Sequence, residues 1–252
     1  MMKHTKIVQC IDIGNTRTTI GIYENGTIKK NTHIPTEDLI KKKEFVLPPL
    51  LKRNVPVSYC SVVPNAEIEL IKFAEDNFFK VFNLNINTIK SLPISYEFPD
   101  QIGQDRLANS LAVYLTHPLP CIVIDIGTAT TFDVITENEG YVGGVIVPGP
   151  QGYLDFLHQN TALLPKLKYS KQDNKIKIGK STTEAMQIGA SIGYPAMIRG
   201  ILNEIINDLN ISNNKPKIIS TGGNQNILKH NNIICLPNLT LTGLELAFAQ
   251  ND

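Results

Sequence analysis

The sequence predicts a mixed α/β protein made of two duplicated halves, and a repeated phrase is the first reason. Residues 11–19 read IDIGNTRTT and residues 124–132 read IDIGTATTF, with five identical positions at a constant spacing. The second reason is that a strand–turn–strand pattern follows each copy. The third is that helix and strand signals then continue in the same order. Each half therefore reads βββαβα, the pattern of a mixed sheet covered by helices.

The first half opens with a hairpin after the repeated phrase. Residues 18–34, TTIGIYENGTIKKNTHI, place Asn25 and Gly26 between two strand-like runs. Asn-Gly is a strong hairpin signal, because both residues tolerate a positive φ. Three strands are therefore expected before the first helix.

A buried strand and a helix follow. The apolar run at 55–64, VPVSYCSVVP, predicts the strand, and 65–79 predicts the helix. Asn65 is a suitable N-cap. Helical spacing predicts one apolar face formed by Ile68, Ile71 and Phe78.

A second helix at 103–117 closes the first half, since Pro118 and Pro120 stop it and mark a junction. In the second half, a turn at 138–140 again separates two strands. A long helical stretch covers 181–209, with Pro195 as a break or kink. A strand at 217–221 and a final helix at 243–250 complete the order. We therefore expect two domains, at residues 1–118 and 119–252.

Composition narrows the class of protein. The chain has 252 residues and a net charge of +1, which gives no overall electrostatic reason to bind nucleic acid or an anionic membrane. No apolar run approaches the ~18 residues of a membrane span. Gln9 and Asp12 interrupt the apolar stretch near the start, so no signal peptide is expected. The four cysteines have no CxxC spacing and fall in or beside apolar runs, which is typical of buried thiols. These features predict a cytoplasmic protein with neither a membrane nor a nucleic-acid partner.

The chemistry of the repeated phrase points to phosphate. A glycine after a strand lets backbone N–H groups approach an anion, and nearby hydroxyls add donors. An Asp at the strand end can orient a metal ion or a water molecule. Two such loops facing each other across a cleft between the halves would hold a polyphosphate from both sides. Neither GxxxxGK[ST] nor GxGxxG at a strand end is present, so this is not one of the common nucleotide loops.

Phosphate binding by paired Asp-x-Gly hairpins resembles that of the acetate and sugar kinase, actin and heat-shock chaperone superfamily, which has duplicated ribonuclease H-like domains. A series of further motifs, in order, resembles the type III pantothenate kinases. The resemblance runs from Asp12 to the final LTGLELAFA. The motifs are DIGNTRTTIG (12–21), SVVP (61–64), GQDR (103–106), DIGTATTFD (125–133), GGVIVPG (143–149), TALLP (161–165), STTEAMQIG (181–189) and TGG (221–223).

This resemblance implies an enzyme that phosphorylates pantothenate with ATP, the first step of coenzyme A synthesis. It implies Mg²⁺ bound with ATP, a monovalent cation (K⁺ or NH₄⁺) and a homodimer. Residues 12–19 would form the first ATP loop, with Asp12 placing Mg²⁺ and Thr128 touching ATP from the second loop. Asp125 would hold the monovalent cation. The implied ATP-binding residues are Asp12, Ile13, Gly14, Asn15, Thr16, Arg17, Thr18, Thr19 and Thr128.

The resemblance also indicates a substrate site. Asp105 is the candidate general base for the primary hydroxyl of pantothenate. A helix N-terminus favours an ionised carboxylate, so from its position we expect Asp105 to be a weak base. The expected substrate-binding residues are Tyr96, Gly103, Gln104, Asp105, Arg106 and Thr182.

Two positions depart from the family's usual pattern: Gln104 stands where Ala is usual, and Ser181 where Asn is usual. Neither change removes a charged or nucleophilic group, so they concern the detail of the substrate pocket. Simpler structural roles remain open at single positions: turn capping for Asn15 and Thr16, a helix cap for Asp105, and a hydrogen-bonded strand end for Asp125.

Two other functions stay open at this point. One is another kinase of the superfamily, acting on a sugar or on acetate, although GQDR and STTEAMQIG are not sugar-kinase motifs. The other is a non-catalytic transcription factor, because some members of the family were first noticed as accessory factors for transcription. The sequence shows no helix-turn-helix segment or basic arm, which argues against the second.

Overall fold

A computed structural model gives the fold of residues 7–42, 54–77, 79–170, 178–209, 215–228 and 232–252. Within these ranges the chain forms two five-stranded sheets with helices around them. The first half contains β1 (Ile7–Ile13), β2 (Arg17–Glu24), β3 (Thr27–Pro35), α1 (Thr36–Lys42), β4 (Val57–Ser61), α2 (Pro64–Asp76), β5 (Val81–Asn83) and α3 (Gln104–Thr116).

The second half repeats the order of the strands, but in its described residues three helices precede the fourth strand, and no α-helix lies between the fourth and fifth strands. It contains β6 (Cys121–Ile126), β7 (Ala129–Thr136), β8 (Gly140–Pro148), α4 (Pro150–Gln159), α5 (Thr182–Ile188), α6 (Tyr194–Asp208), β9 (Lys217–Thr221), β10 (Ile233–Cys235) and α7 (Leu239–Asn251).

The two sheets have the same strand order, which confirms the predicted duplication. The orders are β3-β2-β1-β4-β5 and β8-β7-β6-β9-β10. β1 is antiparallel to β2 and parallel to β4, and β6 is likewise parallel to β9. In each sheet the repeated phrase therefore ends the central strand. Its acidic residue lies opposite the neighbouring parallel strand: Asp12 opposite Cys60, and Asp125 opposite Thr221.

The hairpin between β2 and β3 turns where the sequence predicts. Asn25 and Gly26 have φ values of 52° and 73°. Two successive positive φ values match the right-handed twist of the strands that the turn joins.

The helix α2 begins one residue earlier than predicted, and it buries a different face. Val63 is the N-cap and Pro64 occupies the first turn, so the prediction of Asn65 as N-cap is wrong. Ile68 is 50% exposed, whereas the buried side chains are Ala66, Leu70 and Ala74. These residues recur every four positions and form one stripe, from which Ala66 and Leu70 pack in a core cluster with Leu39 of α1 and with strand residues. Phe78 lies outside the described residues.

The long helical stretch of the second half is interrupted near Pro195, as predicted. A five-residue π-helical segment, Gly189–Gly193, joins α5 to α6. A proline inside an α-helix clashes with a carbonyl of the preceding turn, and the wider π turn relieves that clash.

The chain divides into two compact units. The first comprises the described residues through Leu119 together with Ile135–Gly143 and Asn238–Asp252. The second comprises Pro120–Val134 and Gly144–Pro237. The C-terminal helix α7 therefore packs in the first unit, where Ser58 Oγ donates to the carbonyl of Leu244 at 2.8 Å. Domains at 1–118 and 119–252 stay a prediction.

Among the helices of the described ranges, none is both long and apolar enough to cross a lipid bilayer.

Candidate active site

The first repeated loop joins β1 to β2 and exposes three residues. Asp12 and Ile13 belong to β1, and Arg17, Thr18 and Thr19 belong to β2. The N–H of Gly14 donates to the carbonyl of Arg17 at 3.2 Å, which closes the turn. Asn15, Thr16 and Arg17 are exposed, whereas Ile13 and Thr18 are fully buried. Of the residues of this loop that are predicted to bind ATP, these three are exposed, and Asp12 and Gly14 are partly exposed.

Thr36 fixes this loop from the start of α1. Its Oγ1 donates to the carbonyl of Gly14 at 2.6 Å and lies 3.0 Å from Oγ1 of Thr18. Its N–H donates to the carbonyl of Thr16 at 3.1 Å. Thr36 is almost fully buried. Thr36, about twenty residues further along the chain, thus fixes the backbone of the loop. This pre-organises the loop groups that face outward.

Asp12 and Asp105 lie around the same thiol in the first unit. The Sγ of Cys60 donates to Oδ1 of Asp12 at 3.5 Å. The pKa of this thiol is well above its usual value, because burial raises it first and the charges of Asp12 and then Asp105 raise it further. Two of the predicted carboxylates are therefore brought together, although they are far apart in sequence.

Asp105 lies in the first turn of α3, where its Oδ1 accepts the N–H of Arg106 at 2.8 Å. Burial of the carboxyl group raises its pKa above the ordinary 3.8, and outweighs the lowering by that hydrogen bond and by the Arg106 charge. The expectation of a weak base is therefore wrong, because desolvation exceeds the helix-terminus effect. Gly103 gives the carboxyl group space, since a Cβ there would lie 2.6 Å from Oδ1.

Tyr96 and Arg106 are both predicted to contact substrate, and both pack against the ring of Tyr141. The Arg106 guanidinium lies 5.8 Å from the centroid of the Tyr141 ring, and the Tyr96 ring packs on Tyr141 edge-to-face at 5.7 Å. Tyr141 is fully buried, and its backbone N–H donates to the carbonyl of Pro93. Cation–π and edge-to-face contacts favour these orientations.

Gln104 points into the protein. Its Oε1 accepts the N–H of Ser61 at 2.8 Å and the Nδ2 of Asn83 at 3.1 Å. The side chain predicted to bind substrate thus holds the ends of β4 and β5.

The second repeated loop joins β6 to β7 in the second unit. The N–H of Gly127 donates to the carbonyl of Ala129 at 2.9 Å, and Thr128 is exposed. A Cβ at Gly222, whose φ is +86°, would overlap Oδ1 of Asp125. The Asp125 charge also acts on Tyr194, whose pKa rises to about 12, mainly through burial. The Thr221–Gly222–Gly223 segment therefore packs directly on the Asp125 carboxylate.

Thr182 is the first residue of α5 and is exposed. Ser181, one of the two departures, caps this helix: its Oγ accepts the N–H of Glu184 at 3.2 Å. Serine therefore caps this helix, and asparagine could do the same at this position.

In the part of the chain that the structure describes, no three His, Cys, Asp or Glu side chains gather to hold a metal ion. Single strand-end carboxylates such as Asp12 suit a divalent ion that also binds phosphate oxygens and water, as Mg²⁺ does in kinases. The donor chemistry therefore fits an ion that arrives with a nucleotide.

Sequence reasoning missed Thr36, Cys60, Asn83 and Tyr141. Thr36 carried a weak signal, because it precedes Glu37 and Asp38, and acidic residues favour the first turn of a helix. The others are ordinary strand or loop residues whose roles depend on contacts across the fold.

Two solved structures share this architecture. One is a protein described as a Baf family transcriptional activator, from Campylobacter jejuni, with a TM-score of 0.62, 21% identity, and coverage of 96% of this chain and 98% of that one. The other is the activator of 2-hydroxyisocaproyl-CoA dehydratase from Clostridium difficile, solved with bound ADPNP. Its TM-score is 0.53 at 13% identity, covering 97% of this chain and 95% of that one. At these identities the likeness shows the fold alone.

Two duplicated ribonuclease H-like halves, each with an acidic, glycine-containing loop at its central strand, define a protein of the sugar kinase and actin-like ATPase fold. A family model described as type III pantothenate kinase matches residues 9–204. The chain belongs to the type III pantothenate kinase family.

Curated relatives agree with this assignment. A type III pantothenate kinase of Methylacidiphilum infernorum is 33% identical over 222 residues, which cover 86% of this chain and 78% of the relative. That of Acidothermus cellulolyticus is 34% identical over 256 residues, which cover 96% and 97%. The chain is accordingly a kinase that uses ATP with a divalent metal ion to phosphorylate pantothenate in coenzyme A biosynthesis.

Proposed function

We propose that Asp105 is the general base in the transfer of the ATP γ-phosphoryl group to the primary hydroxyl of pantothenate, which yields 4′-phosphopantothenate and ADP. Two observations support this: Asp105 lies in the first turn of α3 with its Oδ1 2.8 Å from the N–H of Arg106, and burial raises its pKa. The hydroxyl oxygen forms a bond to the γ-phosphorus, the bond from that phosphorus to the bridging oxygen breaks, and the hydroxyl proton passes to Asp105. A base whose pKa approaches the working pH is more effective than an ordinary carboxylate.

The residues proposed to bind ATP belong to the two repeated loops, each described within its own unit. Asn15, Thr16 and Arg17 offer exposed donors in the first loop, and Thr128 does so in the second. Asp12 would orient the divalent ion, Mg²⁺ in this proposal, which supplies positive charge between the phosphates. The fixed backbone of the loop, held by Thr36, favours binding because little ordering is needed.

Pantothenate would bind near the start of α3. Arg106 has a planar fork of donors suited to a carboxylate. Its contact with Tyr141, which also packs on Tyr96, supports a substrate role for both predicted residues. Gly103 would leave room for the hydroxyl beside Asp105. Thr182 is exposed and stays a proposed substrate contact on the family resemblance alone.

Asp125 would hold a monovalent cation, K⁺ or NH₄⁺. A strand-end carboxylate is a hard oxygen ligand of the kind that such ions prefer. Because the ion adds positive charge close to the nucleotide, its removal should lower turnover.

The chain would act as a homodimer in the cytoplasm. Seven large apolar side chains among the described residues of the second unit are exposed, which supports a subunit contact there; they include Ile146, Tyr153, Phe156 and Leu163. The described thiols are all free, as is usual in a reducing compartment. Sedimentation of the wild type and of Phe156→Glu tests the dimer.

We also retain the proposal of actin-like domains at 1–118 and 119–252.

The reaction is tested by ADP release with pantothenate, glucose and acetate supplied separately, each with and without K⁺. Pantothenate alone should support turnover, and K⁺ should increase it. Asp105→Asn should lower kcat by about 10²–10⁴-fold with the fold intact. Near-full turnover by Asp105→Asn would remove Asp105 from the mechanism, and turnover of glucose or acetate instead would replace the substrate.

A further inference from the structure

Gln104 occupies the first position of α3, directly before Asp105, and joins this helix to two strands. Its Oε1 accepts the N–H of Ser61, the last residue of β4, at 2.8 Å. The same oxygen accepts Nδ2 of Asn83, the last residue of β5, at 3.1 Å. Its Nε2 donates to Oδ1 of Asn83 at 3.4 Å. One side chain therefore ties the start of the helix to the edge of the sheet.

The partners of Gln104 are themselves fixed. Asn85 Nδ2 donates to Oδ1 of Asn83 at 2.7 Å, and Thr88 Oγ1 donates to the carbonyl of Asn83 at 2.8 Å. The Oγ of Ser61 accepts the N–H of Val63 at 3.1 Å. Both anchors belong to the first unit, so Gln104 binds a rigid part of that unit.

The start of α3 lacks a side-chain cap, so its position depends on other contacts such as those of Gln104. Its N-cap is Gly103, which has no side chain to bind the free N–H groups of the first turn. The Asp105 carboxylate itself accepts one of them, from Arg106. The position of that carboxylate therefore depends on where the first turn of α3 lies, and Gln104 sets that position.

We propose that Gln104 is a positioning residue that orients Asp105 through its bonds to Ser61 and Asn83, in place of a direct contact with substrate. This inference rests on the proposed role of Asp105 as general base. The Oε1 of Gln104 already accepts two hydrogen bonds from within the protein, and its Nε2 donates to Asn83.

Gln104→Met tests the proposal, because methionine keeps the length of the side chain and removes its hydrogen bonds. A misplaced general base lowers the rate by up to ~10²-fold, so kcat should fall by about 10- to 100-fold. The KM for pantothenate should change less than about threefold, because Gln104 does not touch the substrate. Asn83→Ala removes the other half of the clamp and should lower kcat in the same direction.

A double-mutant cycle separates positioning from general destabilisation. In an Asp105→Asn background, Gln104→Met should change kcat by less than about threefold, because there is no base left to orient. Thr240→Val is the matched control, since it removes a buried hydrogen bond in the same unit, from Thr240 Oγ1 to Asn109 Oδ1 at 2.9 Å. This control should lower the melting temperature comparably and leave kcat within about twofold of wild type.

The outcomes are distinct. An unchanged kcat in Gln104→Met and Asn83→Ala, or an equal loss in both backgrounds, overturns the positioning role. If Thr240→Val loses as much kcat as Gln104→Met does, the loss in Gln104→Met reflects lower stability, and the positioning role is overturned as well. If the wild type turns over pantothenate and Asp105→Asn is equally active, Asp105 is not the general base, and this inference fails with that role. A wild type inactive on pantothenate rejects the proposed function itself.

Discussion

The thiol of Cys60 donates to Oδ1 of Asp12 at 3.5 Å, from the residue directly opposite on the neighbouring parallel strand. Cys60 is fully buried, and its raised pKa keeps it protonated and therefore a donor. The charge of Asp105 also raises the pKa of this thiol. A buried residue of the sheet thus interacts with two of the carboxylates for which we propose functional roles.

Cys60→Ala should weaken ATP binding, because Asp12 loses a donor that helps fix its orientation. Loss of one hydrogen bond costs about 1 kcal/mol, so kcat/KM for ATP should fall by roughly fivefold. Cys60→Ser, which keeps a donor, should restore most of it. Steady-state kinetics with varied ATP and Mg²⁺ measure the effect.

Cys10→Ala is the control for this change. Cys10 is also fully buried, on β1, but its thiol is influenced by Glu245 and not by Asp12. An equal loss of kcat/KM in both alanine variants would show that Cys60 acts only through packing.

Asp105→Asn should stabilise the protein at neutral pH while it lowers activity. The folded-state pKa of Asp105 is raised above the ordinary 3.8, so the wild type loses stability as pH rises from that value through the raised one. The asparagine variant avoids this loss. Its advantage should be full above the raised pKa and absent below about pH 4.

Thermal melting from pH 4 to 8 measures this difference, and each ~1 kcal/mol should shift Tm by about 2–4 °C. A variant less stable than wild type at pH 7 would contradict a raised pKa of the Asp105 carboxyl group. The acid limb of kcat/KM in the wild type should lie above pH 3.8 for the same reason.

Gly222→Ala should disturb the Asp125 site. The new Cβ would overlap Oδ1 of Asp125, and the positive φ of +86° is strained for alanine. We expect a loss of about 1–3 kcal/mol in the free energy of unfolding and weaker activation by K⁺. Chemical denaturation and a K⁺ titration of activity measure the two effects.

Gly200→Ala provides the comparison, because a Cβ at this helical position meets no atom within 4 Å. It should raise stability by up to ~1 kcal/mol, since alanine favours a helix over glycine. Normal K⁺ activation in Gly222→Ala would show that this segment does not contribute to the cation site proposed at Asp125.

Tyr141→Leu should raise the KM for pantothenate, because Arg106 and Tyr96 both lose the ring on which they pack. Each such contact contributes about 0.5–1.5 kcal/mol, so we expect roughly a tenfold increase. Tyr141→Phe keeps the ring and should stay within about threefold of wild type. Equal KM values for wild type and Tyr141→Leu would exclude a substrate role for this cluster.

Much of the fold could be predicted because the signals are local. The hairpin turn at Asn25 and Gly26 and the burial of Val57–Ser61 each follow from a few adjacent residues. The face of α2 could not be predicted in this way, since Ile68 is exposed and Ala66 is buried. Which stripe of the helix is buried depends on the partners it meets after folding, here α1 and the neighbouring strands.

The sequence by itself determined the duplication, the family and the acidic residues of the two loops, because these depend on residue type and spacing along the chain. The tertiary structure decided how basic Asp105 is, and that Gln104 binds Ser61 and Asn83. It also decided that Tyr141 joins Arg106 to Tyr96. Burial and hydrogen bonding depend on atoms that meet only after folding, so no local pattern encodes them.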